Sequence, residues 1–269
     1  MSEYLGRNDS PLSSDNWSAI DQVVTESAKK RLIGRKFIDI TGPLGVGTQM
    51  IQSPKLGGFD NTVEITERVS MSMLMISKDF KLSWRDIESS KQNNTPIELG
   101  PAAVASAFCA NKEDDIIFNG DKESGYAGLT NVKGAVSINA VDWKDVGNGF
   151  QNVVNAIEKL ASAGLYGPYA MAVSTPLYAM LHRSYGAGRV LEIDMIRELV
   201  SEGIFQTPLL KNDKAVLIAT GRENLDLVIA QDFVTAYLGP DNMDHLFRVF
   251  ESIVLRIKRP ESICVFSSK

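Results

Sequence analysis

Few residues of this 269-residue chain are of types that do chemistry, and their spacing gives that chemistry no local support. The two histidines, His182 and His245, stand far apart without acidic or cysteine neighbours, so a metal site or a Ser/His/Asp triad would have to be assembled entirely by the fold. Cys109 sits in an Ala-rich helical pattern and Cys264 follows the last predicted strand. Neither has metal or disulfide spacing, and two buried thiols are expected. The run Glu113, Asp114, Asp115 has metal-ligating types, but consecutive carboxylates on a helix point in different directions; a solvated or salt-bridged face is the expectation. The Gly-rich stretch from Gly42 to Gly47 is followed by Thr48 and Gln49, not by the Lys and Ser or Thr of a phosphate loop. The loop around Gly186 and Gly188 lacks the strand-turn-helix setting of a dinucleotide site, and no Gly-x-Ser-x-Gly occurs. Trp17, Trp84 and Trp143 read as core or interface aromatics. The expectation is a protein that is not an enzyme and holds no metal.

The elements that would carry these residues are a mixture of helices and strands. Trp17, Ile20, Val24, Ala28 and Leu32 recur at three and four residues and predict a helix from about Ser14 to Leu32. Ser13, Ser14 and Asp15 are its N-cap candidates, and Lys29, Lys30 and Arg31 put positive charge at its C-terminal end. A short strand is expected over 34–40. From Thr62 to Ser83 the apolar residues Val63, Ile65, Val69, Met71, Met73 and Met75 repeat mostly at two, which means extended chain. Plain core is the commoner fate of such methionines; an intermolecular contact is the other. Pro101 opens an Ala-rich helix to Ile116 or Phe118, and Phe150 to Ala163 forms another. A strand over Tyr169–Ser174, helices from Thr175 and from Glu192 to Glu202, and strands over Ala215–Thr220 and Leu225–Ala230 follow. Between Leu246 and Pro260 apolar residues alternate with Arg248, Ser252, Arg256 and Lys258, a strand about twice the usual length with one basic face.

Composition excludes several classes. With 44% hydrophobic and 23% charged residues the chain folds as a globular protein, and its net charge of -5 argues against nonspecific nucleic-acid binding. No apolar stretch approaches the roughly 20 residues of a membrane helix, and residues 1–7 show no secretory pattern. A cytoplasmic protein without membrane contact is expected.

Several blocks resemble encapsulin shell proteins, in that family's order and at its approximate spacing. They are SPLSSDNWSAID (Ser10–Asp21), GRKFIDITGP (Gly34–Pro43), EDDIIFNG (Glu113–Gly120), GPYA from Gly167, Gln231 with Asp232, and the long terminal strand. KDF from Lys78, WRDIE from Trp84, LHR from Leu181, TGRENLD from Thr220 and LRIKRP from Leu255 are most similar to members whose cargo is ferritin-like.

The resemblance implies an α+β fold of the Hong Kong 97 phage-capsid type. In it, residues 1–43 form an N-terminal arm and cargo-side helix, 44–78 an extended loop, 79–130 a peripheral domain with the spine helix, 131–221 an axial domain, and 222–269 the return to the peripheral domain. The implied function is self-assembly into an icosahedral compartment around a cargo enzyme that carries a C-terminal targeting peptide. That cargo would be ferritin-like, for iron storage and oxidative-stress protection, or alternatively a peroxidase; a phage or prophage capsid protein is the alternative identity. Carried over by position, the peptide site comprises Ala28, Leu32, Arg35, Ile38, Asp39, Asp232 and Phe233. Arg183, Ser184, Tyr185, Gly186, Ala187, Gly188 and Arg189 would line a fivefold pore, and Met71, Met73 and Met75 would serve the assembly loop. No cofactor is expected. Some members bind flavin through a tryptophan near the loop base, from which Trp84 stands one position displaced.

Overall fold

Ser13 starts the first helix, α1 (Ser14–Lys29). Its hydroxyl accepts the Asn16 N–H at 3.2 Å while the Asn16 side chain accepts the Ser13 N–H, a reciprocal cap that fixes where the helix begins. Trp17, Ile20, Val24 and Ala28 form its buried stripe. The computed structural model describes residues 3–57, 62–140, 142–185, 190–211 and 214–268.

After α1 the chain makes a 3-10 turn (Gly34–Lys36), and only Asp39–Thr41 is a strand, β1. The strand expected over 34–40 is therefore mostly a turn. Its cause is Asp114, whose two carboxylate oxygens accept the N–H groups of Ile33 (2.8 Å) and Gly34 (2.9 Å) and bend the backbone out of extension. A hairpin follows, β2 (Met50–Gly57) with β3 (Glu64–Ser72), and then β4 (Leu74–Leu82). The extended stretch expected from Thr62 to Ser83 is thus two strands in two sheets, and the segment that leaves the body ends near Ser72, earlier than residue 78. Helices α2 (Trp84–Asn93) and α3 (Gly100–Asn119) come next. The alanines of α3 let it approach α1 closely enough for the Ser106 hydroxyl to donate to the Val24 carbonyl at 2.6 Å.

The remaining elements are β5 (Val136–Ala140), α4 (Asn148–Ser162), β6 (Tyr169–Ser174), α5 (Thr175–Leu181), α6 (Glu192–Leu199), β7 (Ile204–Thr207), β8 (Ala215–Ala219), β9 (Leu225–Asp241), β10 (Asp244–Ile257) and β11 (Ile263–Ser268). Strands β1, β9, β10 and β4 form one sheet in that order, with β1 parallel to β9 and the others antiparallel. A second sheet runs β5-β11-β8-β6-β7. Its alternation serves two cores. Ala170, Ala172, Val216, Ile218 and Ile263 face the core shared with α1, α3 and the first sheet, whereas Met171, Val173, Leu217, Cys264 and Phe266 face the core under α4, α5 and α6.

Three expectations need correction here. The strand expected to stop at Ala230 continues to Asp241, because its pairing with β10 absorbs three extra residues as bulges. The terminal strand has no free basic face: Arg248 is paired with Asp79 and Arg256 with Asp226, and the middle of β10 is buried on both faces. Residues 222–269 do not stay in one unit, since β11 crosses into the second sheet and carries Cys264 within it. Both thiols are buried, and burial pushes each up to about 12.

Candidate functional site

The turn that follows α1 aims one side chain, Arg35, at α3 and β10. Gly34 makes this possible, because a Cβ there would lie 2.6 Å from Ile117 Cδ1. On the other side, β9 carries two residues, Asp232 and Phe233, opposite the single Glu251 of β10. Such a bulge re-aims its side chains out of the strict alternation. Phe233 then packs, partly exposed, on a buried floor of Ala28, Leu32 and Ala110. The guanidinium of Arg35 stands 5.4 Å from the Phe233 ring centre. The result is an apolar shelf with a charged edge, built from the end of α1, the middle of α3 and the bulge of β9.

Arg35 is the hub of the charges. Its Nε donates to both Glu113 oxygens (2.8 and 3.1 Å), its Nη2 to Glu113 (2.6 Å) and Glu251 (2.9 Å), and its Nη1 to Asp232 (2.8 Å). Glu113 and Glu251 have 0% exposed side chains, whereas Asp232 is 54% exposed. Burial works against the charge on Arg35, but the hydrogen bond and fields of Glu113, Glu251 and Asp232 raise its pKa above the ordinary value. Burial pushes the Glu251 carboxyl well above the usual range, helped by the field and hydrogen bond of Glu113. Burial also raises Asp114 to about 7 against the two backbone N–H groups that it accepts. The acidic run is therefore salt-bridged at Glu113 and backbone-bonded at Asp114, both buried; Asp115 alone keeps the solvated position.

Of the seven residues carried over for a peptide site, Ala28, Leu32, Arg35, Asp232 and Phe233 come together. Ile38 is buried in the main core instead, and Asp39 is exposed on β1, in register with Asp226 rather than beside Arg35. For the pore segment, Arg183 is engaged at the loop base, donating to the carbonyls of Met180, Lys144 and Trp143. Ser184 bridges to Leu191, and the Tyr185 N–H donates to Val190 at 2.9 Å, which pins the neck of the loop. Gly186, Ala187, Gly188 and Arg189 lie outside the described residues. Met71 lines a cleft of about 680 Å³ between the β2–β3 hairpin and Tyr126, Leu255 and Ile257. Met73 is partly exposed at the junction of β3 and β4, and Met75 is 66% exposed on the edge strand β4. Trp84 opens α2 with the Arg85 guanidinium 5.6 Å from the centre of its ring. Among the described residues no group of three or more His, Cys, Asp or Glu is placed to hold a metal ion, and no helix is long and apolar enough to cross a membrane.

A family model described as encapsulating protein for peroxidase matches residues 1–254. The chain belongs to the encapsulin shell-protein family. The type 1 encapsulin shell protein EncA of Myxococcus xanthus is 41% identical over 276 residues, which cover 98% of this chain and 96% of that one. A ferritin-like-encapsulin shell fusion protein of Pyrococcus furiosus is 22% identical over 207 residues, covering 77% of this chain and 56% of the fusion. Among solved structures, the virus-like particle from Pyrococcus furiosus superposes with a TM-score of 0.80 at 20% identity, covering 93% and 99% of the two chains. The capsid of Myoviridae phage XM1 gives 0.66 at 11% identity, with 89% and 92% covered. The α+β fold is thus the phage-capsid type that the encapsulin blocks implied, and the chain is a capsid-like shell protein.

Residues that the sequence reading did not nominate hold the encapsulin shelf together: Glu113, Glu251, Ala110 and the bulge itself. One signal was present. Glu251 interrupts the apolar run from Phe247 to Ile257 with a charge in mid-strand, and a charge there needs a buried partner.

Proposed function

We propose that copies of this chain close into an icosahedral nanocompartment in the cytoplasm. It would enclose a ferritin-like iron-storage enzyme, held by that enzyme's C-terminal peptide on the Phe233 shelf. The observation that carries the peptide reading is the half-buried Phe233 on its floor of Ala28, Leu32 and Ala110, flanked by Arg35 and Asp232. An extended peptide would lay apolar side chains on this floor and meet one cation and one anion at its edge, which sets its direction. Ordering a disordered tail opposes binding by roughly 2–5 kcal/mol, so one contact would be modest in affinity. A multi-subunit cargo that engages many equivalent shelves gains retention through effective concentration.

The ferritin-like assignment is supported by the Pyrococcus furiosus relative, whose name joins a ferritin-like part to an encapsulin shell in one chain. Assembly itself would use the projecting β2–β3 hairpin and the exposed Met75 beside it. The test is to purify shells from the native host and identify their contents by mass spectrometry, for the natural chain and for Phe233→Asp. A ferritin-like protein in natural shells, and assembled but empty Phe233→Asp shells, are the expected result. Equal cargo in both would remove the shelf from the reading, and a peroxidase inside would replace the ferritin-like assignment.

A further inference from the structure

The charges beneath the shelf do not balance if every group is ionised. A single guanidinium, Arg35, faces three carboxylates, and two of these, Glu113 and Glu251, have no exposed side-chain surface. Two ionised carboxylates against one cation in a buried space would leave one charge uncompensated, which proteins avoid by neutralising a group. The geometry shows which one. Glu113 receives three of the guanidinium's hydrogen bonds, whereas Glu251 receives one, through Oε2, and its Oε1 is buried without a hydrogen-bond partner among the described residues. Glu113 Oε2 and Glu251 Oε2 converge on one nitrogen of the guanidinium, Nη2, at 2.6 and 2.9 Å, and the field of the Glu113 carboxylate works against a charge on Glu251. A proton on Glu251, shared towards Glu113, gives the pair a single negative charge opposite a single positive one.

The neutralised pair is mechanically linked to the shelf. Arg35 Nη1 donates to Asp232 Oδ1, and that same oxygen accepts the Phe233 N–H at 2.9 Å. The bulge that presents Phe233 is therefore tied through Asp232 and Arg35 to the two buried carboxyls, one of them directly opposite it on β10.

We propose that Glu113 and Glu251 are positioning residues of the peptide shelf, sharing one proton beneath Arg35 so that Arg35 keeps its hold on Asp232 and fixes Phe233 for the incoming peptide. This rests on the peptide reading of the shelf. Loss of the shared proton leaves two charges below Arg35, which draw the guanidinium inward and release Asp232. The other groups facing the pair do not substitute for it. Asp114 on α3 is committed to the backbone of Ile33 and Gly34, and the Cys109 thiol on α3 stays neutral and donates to the Val249 carbonyl at 3.7 Å. Lys78 on β4 lies over the exposed Phe108 ring at 4.7 Å, and α1 turns Val24 and Ala28 inward.

The test uses assembled shells of the full chain and a fluorescein-labelled peptide that copies the C-terminus of the ferritin-like protein recovered from them. Its Kd is followed from about pH 6 to pH 9 for the natural chain, Glu251→Gln and Glu251→Ala. The natural chain is expected to bind about tenfold more weakly at the alkaline end, the loss of one charge-assisted hydrogen bond. Glu251→Gln, a permanently neutral hydrogen-bonding group, is expected to lose that pH dependence, and Glu251→Ala to bind more weakly throughout. Infrared spectra of the natural shell at neutral pH are expected to contain, beside the contribution of Asp114 that both chains share, a protonated-carboxyl C=O band that Glu251→Gln lacks. Absence of that band in the natural chain, or a pH profile unchanged by Glu251→Gln, overturns the proposal even if both variants fold. Phe233→Asp separates the two ideas: peptide binding that survives it refutes the shelf reading, whereas binding lost there with a flat pH profile in the natural chain refutes only the proton.

Discussion

Replacing Arg35 by methionine removes five hydrogen bonds at once and keeps the aliphatic volume of the side chain. Glu113 and Glu251 then remain without solvent access and without an ion-pair partner among the described residues. Breaking a buried ion pair by deleting one partner costs about 3–5 kcal/mol, and the single net charge left on the pair puts Arg35→Met within that range at about pH 8. The penalty must depend on pH. Without Arg35 the pair takes up a second proton in the folded state at a pH where the unfolded chain's glutamates are already ionised. The folded state then binds more protons, so stability falls as pH rises. One proton accounts for a change of at most about 1.4 kcal/mol per pH unit, so the gap to the natural chain should narrow steadily from about pH 8 to pH 5. Guanidinium unfolding of the full chain, followed by tryptophan fluorescence at several pH values, measures it. A penalty below about 1 kcal/mol, or one that is the same at pH 5 and pH 8, would refute a buried carboxyl pair held by Arg35.

Three other outcomes are expected. Gly34→Ala places a methyl 2.6 Å from Ile117 Cδ1 and 3.2 Å from Asp114 Oδ1, so it should destabilise the subunit by about 1–3 kcal/mol in the same assay; no change would mean that the turn relaxes freely. Asp114, raised to about 7 mainly by burial, binds its proton more tightly folded than unfolded, so its contribution falls as pH rises from about 4 through about 7; in Asp114→Asn that part of the slope should vanish, and an unchanged slope would contradict it. Met75→Lys changes an edge-strand residue that is 66% exposed in the subunit, so unfolding should shift by no more than about 0.5 kcal/mol while particle formation, followed by size-exclusion chromatography, drops; normal particles would remove Met75 from the contact between subunits.

The helices and the long strand were legible because each is periodic over many residues. The α1 stripe from Trp17 to Ala28, the Ala-rich α3 and the alternation of β10 lie where the pattern puts them. What the sequence did not reveal are effects of distant partners. Nothing local in GRKFID predicts a turn; Asp114, 80 residues further along the chain in α3, makes it. The basic residues of β10 alternate as on a solvated face, yet Asp79 and Asp226 take them up through the tertiary fold. The shelf was half legible. The encapsulin resemblance supplied Ala28, Leu32, Arg35, Asp232 and Phe233, but it could not supply the bulge that exposes Phe233 or the carboxyls under Arg35. Those depend on register and burial, which no spacing within one strand encodes.

Electron microscopy of the protein expressed alone, and purified by size, tests most directly whether this chain builds a shell. Uniform closed icosahedral particles free of nucleic acid are the predicted result. Folded monomers or small oligomers, or particles packed with DNA, would contradict a cargo-holding compartment.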